Sequence, residues 1–372
     1  MKKRIGIGIA GFGNMGRTHA FSAESLKFFY DCDFEPYIAG ISASTEESAA
    51  KYAERYSYPR AFSDFEELIS CDEVDVVDIC TPNVYHYSQL LKAIDAGKNI
   101  YCEKPLTVTY EEALDIAERS EKVGIIGGVV FNTRFLLPVI RAKEIIESGR
   151  LGNIISFDVK FLHSSAMDTS RTGWKQDKTV CGGGVLFDLG SHAVDLVRYL
   201  CGDFSSVFGR SQIAFPERTS YRGESGWKTN ADEAFYLACT LKNGAEGNIN
   251  VGKIFSGTND DFSFEIYGTE GHVSFSLMEP NWLYYYDSKA ENTVRGVTRI
   301  ECVGRYPAPA TGFPGQKAPV GWIRGHIGSM FNYLSHVCEG VAPSPSFRDA
   351  AEVQKILEVS YKSAERGTIF YV

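Results

Sequence analysis

The 372-residue sequence predicts an α/β fold in two parts: a parallel sheet wound with helices, then a second α/β part built on a large, mostly antiparallel open sheet. Three observations carry this reading. From Met1 to about Gly128, short apolar runs alternate with amphipathic stretches, as in successive βαβ units. Three glycines, Gly11, Gly13 and Gly16, stand directly behind the first apolar run, IGIGIA. After about Phe131 the apolar and polar residues alternate over longer stretches, as half-buried antiparallel strands require. The chain exceeds the size at which one hydrophobic core keeps growing, so the division is drawn as 1–128 and 129–372.

In the first part IGIGIAG, PYIAGIS, VDVVDIC, NIYCE and IIGGVV read as strands. Glu46–Tyr56 and Tyr87–Gly97 read as helices, the latter opened by Thr81 or Asn83 with Pro82 near its first turn and closed by Gly97. Thr109–Gly124 adds a third, in which Thr109 and Glu112 have capping-box spacing. In the second part Leu137–Ser148 reads as a helix, and ISFDVKFLH, EAFYLACTL, AEGNINVG, FSFEIYG and HVSFSLM as strands. The Pro- and Gly-rich segment Tyr306–Gly325 is predicted to be a long loop. The stretch Phe347–Arg366 is predicted to be a terminal helix burying Ala350, Val353, Ile356, Leu357, Tyr361 and Ala364.

Composition excludes several classes. Apolar residues make up 44%, enough for a packed core. A net charge of -9 with scattered Lys and Arg argues against a nucleic-acid surface, which needs clustered positive charge. No run of about 18 apolar residues occurs and no signal-peptide pattern opens the chain, so no membrane partner is expected and the location is expected to be cytoplasmic. The nine cysteines form no CxxC pair, so neither a disulfide framework nor a zinc site is expected, and the metal expectation is none. Cys80, inside VDVVDIC, reads as a small buried hydrophobe.

The glycines form GxGxxG between a strand and a helix, the setting in which that motif binds a dinucleotide. Gly11 permits the tight turn, Gly13 lets a pyrophosphate approach the backbone, and Gly16 allows close helix–strand packing. The alternative is a glycine-rich turn with no ligand. The second strand ends Ile41-Ser42-Ala43-Ser44, so Ser42 stands where an acid usually holds the ribose 2′-hydroxyl. No Arg or Lys follows to attract a 2′-phosphate, and Glu46 and Glu47 oppose one, which leans the cofactor to NAD over NADP. Ser44 is equally an N-cap with Glu47 as its capping-box partner.

Behind the glycine motif stand TPNVYH (Thr81 to His86), EKPL (Glu103 to Leu106) and GGGVLFDLGSHAVDL (Gly182 to Leu196). With these in order, together with FNTRF and SGRLGNI, the sequence resembles the Gfo/Idh/MocA family of sugar and polyol dehydrogenases over essentially its whole length. The resemblance implies a Rossmann domain, an α/β domain whose open sheet often serves oligomer contacts, an active site at the domain junction, and a homo-oligomer, dimer or tetramer. Lys104 matches the family's catalytic lysine, and Asp188 and His192 match its carboxylate and histidine. Asp188 and His192 are also spaced i,i+4, which on an α-helix puts both on one face. The candidate dinucleotide contacts are Gly11, Phe12, Gly13, Asn14, Met15, Gly16, Ser42, Thr81, Pro82, Asn83, His86, Glu103 and Lys104. The candidate substrate contacts are Lys104, His163, Trp174, Asp188 and His192, and Lys175, Asn230, Trp282, Arg324 and His326 are further side chains suited to a hydroxylated ring. The expected activity is hydride transfer between a sugar-like hydroxyl and a nicotinamide. The alternatives are an NAD-dependent glycosidase acting by transient oxidation and elimination, and a non-catalytic dinucleotide regulator; retention of Lys104, Asp188 and His192 counts against the regulator.

Overall fold

A computed structural model of the chain describes residues 2–372 except Arg171, Tyr221 and Gln316. Met1, where the first predicted part begins, and Gln316, within the predicted loop, lie outside the described residues. The chain divides into two compact units, one of Met1–Phe135 with Gly304–Glu352 and one of Leu136–Val303 with Val353–Val372. This differs from a single cut at 128, because a late segment of the sequence returns to the first unit.

In the first unit β1 (Lys3–Ala10), β2 (Phe34–Ser42), β3 (Val76–Ile79), β4 (Asn99–Cys102) and β5 (Gly127–Val129) form a parallel sheet of order β2-β1-β3-β4-β5. The helices are α1 (Asn14–Phe29), α2 (Glu46–Tyr56), α3 (Phe65–Ser70), α4 (His86–Asp95) and α5 (Tyr110–Val123). Parallel strands covered on both faces are apolar throughout, and β1 is buried from Ile5 to Ala10. The strand order reverses between β1 and β3, so the carboxyl ends of these strands flank the switch point where open α/β sheets bind ligands.

Two local expectations change. The N-cap of α2 is Thr45, whose hydroxyl accepts from Ser48 N at 3.1 Å, rather than Ser44. The loop from Tyr306 ends before Gly325, because Ile323–Glu339 is a helix. Its glycines disguise it in the sequence, yet a Cβ on Gly328 would stand 2.9 Å from the Phe135 Cβ, so close packing selects glycine there. The buried stripe Ile327, Met330, Tyr333 and Leu334 anchors this helix, with Tyr333 stacked on Tyr101 of β4 at 4.8 Å.

The second unit contains α6 (Leu137–Glu147), β6 (Ile154–Leu162), α7 (Lys178–Cys181), α8 (Ser191–Cys201), β7 (Phe204–Gln212), β8 (Glu217–Arg218), β9 (Trp227–Lys228), β10 (Ala234–Leu241), β11 (Glu246–Gly252), β12 (Asp261–Gly268), β13 (Gly271–Ser276), β14 (Trp282–Asp287), β15 (Val297–Glu301) and β16 (Phe370–Tyr371). Nine of these strands form one sheet of order β15-β14-β13-β12-β6-β11-β10-β7-β16, antiparallel except between β6 and β11. The predicted helix Phe347–Arg366 is present, with Val353, Ile356, Leu357 and Ser360 buried in this unit. The stretch Lys178–Cys201 is long and apolar enough to cross a membrane by length and composition alone. Its most apolar 18-residue window is 83% buried within the protein, as a core segment should be.

Candidate active site

In the first unit the glycine turn has the geometry its sequence predicts. Gly11 sits at φ +92°, and a Cβ there would lie 2.8 Å from the Cys80 backbone. A Cβ on Gly16 would lie 2.5 Å from the Gly11 carbonyl oxygen, whereas one on Gly13 would meet nothing within 4 Å. Gly11 and Phe12 each donate their N–H to the Ser42 carbonyl at 3.0 Å, tying the turn to the end of β2. Helix α1 starts without a side-chain cap and without an acid in its first turn, leaving the amide-rich end to an anion. These residues fit a dinucleotide's pyrophosphate: the turn is closed where packing requires it and open where a phosphate would approach.

The remaining cofactor candidates divide by what their side chains do. Phe12 is buried among the rings of Tyr52, Tyr56 and Tyr58, so its side chain is structural and its backbone forms the turn. Asn14 is exposed, Met15 half-buried and Ser42 buried. Thr81 donates to Gln89 Oε1 at 2.6 Å beyond β3, and Pro82 precedes a short 3-10 turn, Asn83–Tyr85, in which Asn83 is buried. His86 is fully buried with Nε2 on the Thr81 carbonyl at 2.8 Å and Nδ1 on the Pro105 carbonyl at 3.0 Å. It is therefore a strut between two loops of the carboxyl edge, the single N–H of its neutral ring donating to one of these two carbonyls. Burial pushes its pKa below the usual value.

Lys104 follows β4 on the same carboxyl edge and is half-buried. Its backbone N–H donates to Glu103 Oε2 at 3.1 Å. Burial opposes the charge on Glu103, but the His19 imidazole and the Lys104 ammonium outweigh it and hold the carboxyl down at about 2.

The second unit holds the other candidates. The GGG segment enters a π-helical turn, Leu186–Gly190, which continues into α8. Asp188 lies in the π turn and His192 in the first turn of α8, so the α-helical phase assumed for an i,i+4 pair does not apply between them. Such insertions recur where a helix must re-aim a functional side chain. Lys175 and Lys253 each place Nζ at 2.7 Å from a different oxygen of Asp188. His192 is 8% exposed, its ring 6.0 Å from that of Phe161. The segment is fixed from behind by Tyr361, which accepts from Gly184 N at 2.8 Å and donates to Asp232, while Asp232 accepts from Leu186 N at 3.1 Å. His163 follows β6 and is half-buried, and half-buried Trp174 opens a 3-10 turn with the Lys175 ammonium 5.8 Å from its ring centre.

The comparisons agree with this architecture. Residues 5–131 match an oxidoreductase family with an NAD-binding Rossmann fold, and residues 139–274 match the GFO/IDH/MocA C-terminal domain. A levoglucosan dehydrogenase of Pseudarthrobacter phenanthrenivorans is 30% identical, covering 98% of this chain and 97% of its own. The chain belongs to the Gfo/Idh/MocA oxidoreductase family. Among its Gfo/Idh/MocA relatives, a glucose-6-phosphate 3-dehydrogenase of Bacillus subtilis is 26% identical over 97% of this chain and 96% of its own. A solved levoglucosan dehydrogenase in complex with NADH and levoglucosan matches with a TM-score of 0.95 at 29% identity, covering all of both chains. The chain is thus an NAD(P)-dependent dehydrogenase of this family, with a Rossmann domain and a C-terminal domain built on a large sheet.

Several sugar-pocket candidates have other work. Arg324 is 4% exposed, donates to Tyr30 Oη at 2.8 Å and lies over the rings of Tyr30 and Tyr306. Asn230 caps α7, accepting from Lys178 N at 2.8 Å and donating to Asp177 at 3.2 Å. Trp282 lies in β14 beneath the Arg299 guanidinium, 3.8 Å away. His326 is buried beside Trp322, with Nδ1 unpartnered, and burial drives its pKa down to about 3. Lys253 was not a sequence candidate. It follows an ordinary alternating strand, and only its place one residue beyond β11 carries it to Asp188.

Proposed function

We propose that this dehydrogenase uses NAD to oxidise a ring hydroxyl of a sugar or glycoside. The observation that carries the reading is full-length similarity to levoglucosan dehydrogenase, whose solved complex holds NADH and its sugar. When bound, the nicotinamide supplies the hydride acceptor. The chain must then remove the hydroxyl proton, since hydride departure leaves positive character on the carbinol carbon. His192 is assigned as that base, because a neutral imidazole offers a ring nitrogen lone pair to accept the proton. Lys104 donates a charged hydrogen bond to the reacting oxygen and favours its alkoxide character. Asp188, held between Lys175 and Lys253, is an acceptor that orients the sugar or the imidazole. Trp174 and His163 supply a ring face and a hydrogen-bonding group for the substrate.

NAD is preferred over NADP because Ser42 ends β2 without a following cation, and Glu46 and Glu47 stand in the first turn of α2. The outward face of the large sheet carries exposed Phe208, Tyr236 and Tyr267, which supports a homo-oligomer. The test is a panel of levoglucosan, glucosides, free and phosphorylated sugars and inositols, incubated with NAD or NADP while reduced nicotinamide and sugar products are followed together. Net NADH formation with an oxidised sugar is expected. Glycoside cleavage without net reduction would replace this reading with the transient-oxidation mechanism, and no conversion of any member would remove it.

A further inference from the structure

A second buried constellation lies in the first unit, one helical turn beyond the glycine motif. His19, on α1, is 1% exposed, and its Nδ1 faces both carboxylate oxygens of Asp78 at 2.9 and 3.0 Å. Its Nε2 stands 3.2 Å from Glu103 Oε1, an ion-pair contact rather than an aligned hydrogen bond. The other Glu103 oxygen accepts from the backbone N–H of Lys104. A continuous chain of contacts therefore runs from the helix of the dinucleotide turn, through His19 and Glu103, to Lys104.

Two buried carboxylates are costly unless a cation compensates them. A neutral imidazole carries one N–H and leaves one carboxylate facing a nitrogen lone pair, whereas the imidazolium donates toward both. The groups facing His19 are Asp78 and Cys80 from β3 and its exit, Tyr101, Cys102 and Glu103 from β4 and its exit, and His326 from the helix Ile323–Glu339. Burial lowers the His19 pKa, but Asp78 overrides it and holds the pKa well above the usual value. The Cys80 thiol, pushed up by its own burial, stays protonated beside it.

We propose that His19 is a positioning residue for the reaction: as an imidazolium fixed by Asp78, it holds the Glu103 carboxylate that in turn sets the backbone of Lys104. This rests on the reading of Lys104 as the donor to the reacting oxygen. His19 touches neither substrate nor hydride; it acts through Glu103.

The test joins kinetics with nitrogen-15 NMR of the imidazoles, the His19 signal being assigned from its loss in His19→Gln. In wild type both His19 nitrogens are expected to carry protons at neutral pH, above the ordinary His value of about 6.5. With the sugar that turns over in the panel, His19→Gln should lower kcat between about tenfold and about a hundredfold, the range of a displaced catalytic group, while the KM for NAD stays within a few fold. Glu103→Gln should produce the same loss, and the double variant no further loss, because the two residues act in series. A single protonated nitrogen at neutral pH, wild-type kcat in His19→Gln, or additive losses would each overturn the proposal. If His19→Gln does not fold, Glu103→Gln and His19→Asn supply the kinetic arm. Lys104→Ala, measured in parallel, separates the two readings. Full kcat in Lys104→Ala removes the role given to Lys104, whereas an inactive Lys104→Ala beside a fully active His19→Gln removes only the role given to His19.

Discussion

Gly13 and Gly16 are both glycines of one motif, yet they are required for different reasons. Gly13 faces open space, so a side chain there meets no neighbouring atom and blocks only the approach of a pyrophosphate. Gly13→Val should keep a near-wild-type melting temperature while losing dinucleotide binding, measured by fluorescence titration with NADH; unchanged affinity would contradict the site. Gly16→Val should instead destabilise the protein, because its Cβ meets the Gly11 carbonyl at 2.5 Å. The buried histidines give a pH signature. His326 titrates near 3 when folded and about 6.5 when unfolded, so the unfolded chain binds the extra proton between those values and stability rises with pH across that window. His19, raised when folded, acts oppositely: its contribution is present below about 6.5 and is lost as pH rises through its folded pKa. Replacing His326 by Leu should therefore flatten the melting temperature between pH 4 and 6, and an unchanged slope would refute the assignment. Lys104, Asp188 and the glycines stand out as candidates in the sequence because each lies inside a local motif. Lys253 and the His19–Glu103 contact do not, since their partners are distant in sequence and only strand and helix packing joins them.

Two connections decide what the elements can do. The β2–α2 turn carries Ser42, the Thr45 cap and two first-turn acids, and the proposed preference for NAD rests on those acids opposing a 2′-phosphate. Ala43→Arg supplies the bidentate cation this turn lacks and should shift kcat/KM toward NADP. A wild-type preference for NADP of about tenfold, about 1.4 kcal/mol, would contradict the reading. The π turn Leu186–Gly190 depends on Tyr361, whose hydroxyl meets both Gly184 and Asp232. Tyr361→Phe leaves a buried carboxylate short of a donor and should cost about 1–3 kcal/mol in chemical denaturation, with kcat falling more than cofactor affinity. A stability change below about 0.5 kcal/mol would show that the hydroxyl does not hold the turn. Hydrophobic spacing made most helices and alternating strands readable. The π insertion was not, because it changes the phase of a helix without changing its composition. Neither was Ile323–Glu339, whose glycines read as loop although packing against Phe135 selects Gly328.

At the scale of the chain, the two-part α/β organisation follows from the change between buried parallel strands and alternating ones near residue 130. The return of Gly304–Glu352 to the first unit does not, because nothing in local composition says which sheet a late helix will cover. That return places His326 beside His19 and Tyr333 against Tyr101, completing the core behind the carboxyl edge. This core supports the edge at which hydride passes from a sugar carbon to a nicotinamide. The most direct measurement is isotopic: a substrate sugar deuterated at its ring carbons is incubated with NAD, and the reduced cofactor is analysed by mass spectrometry. The reduced nicotinamide is expected to carry a single deuterium taken from the oxidised carbon. Conversion of the sugar with its deuterium retained or lost to water, and none in the nicotinamide, would contradict it.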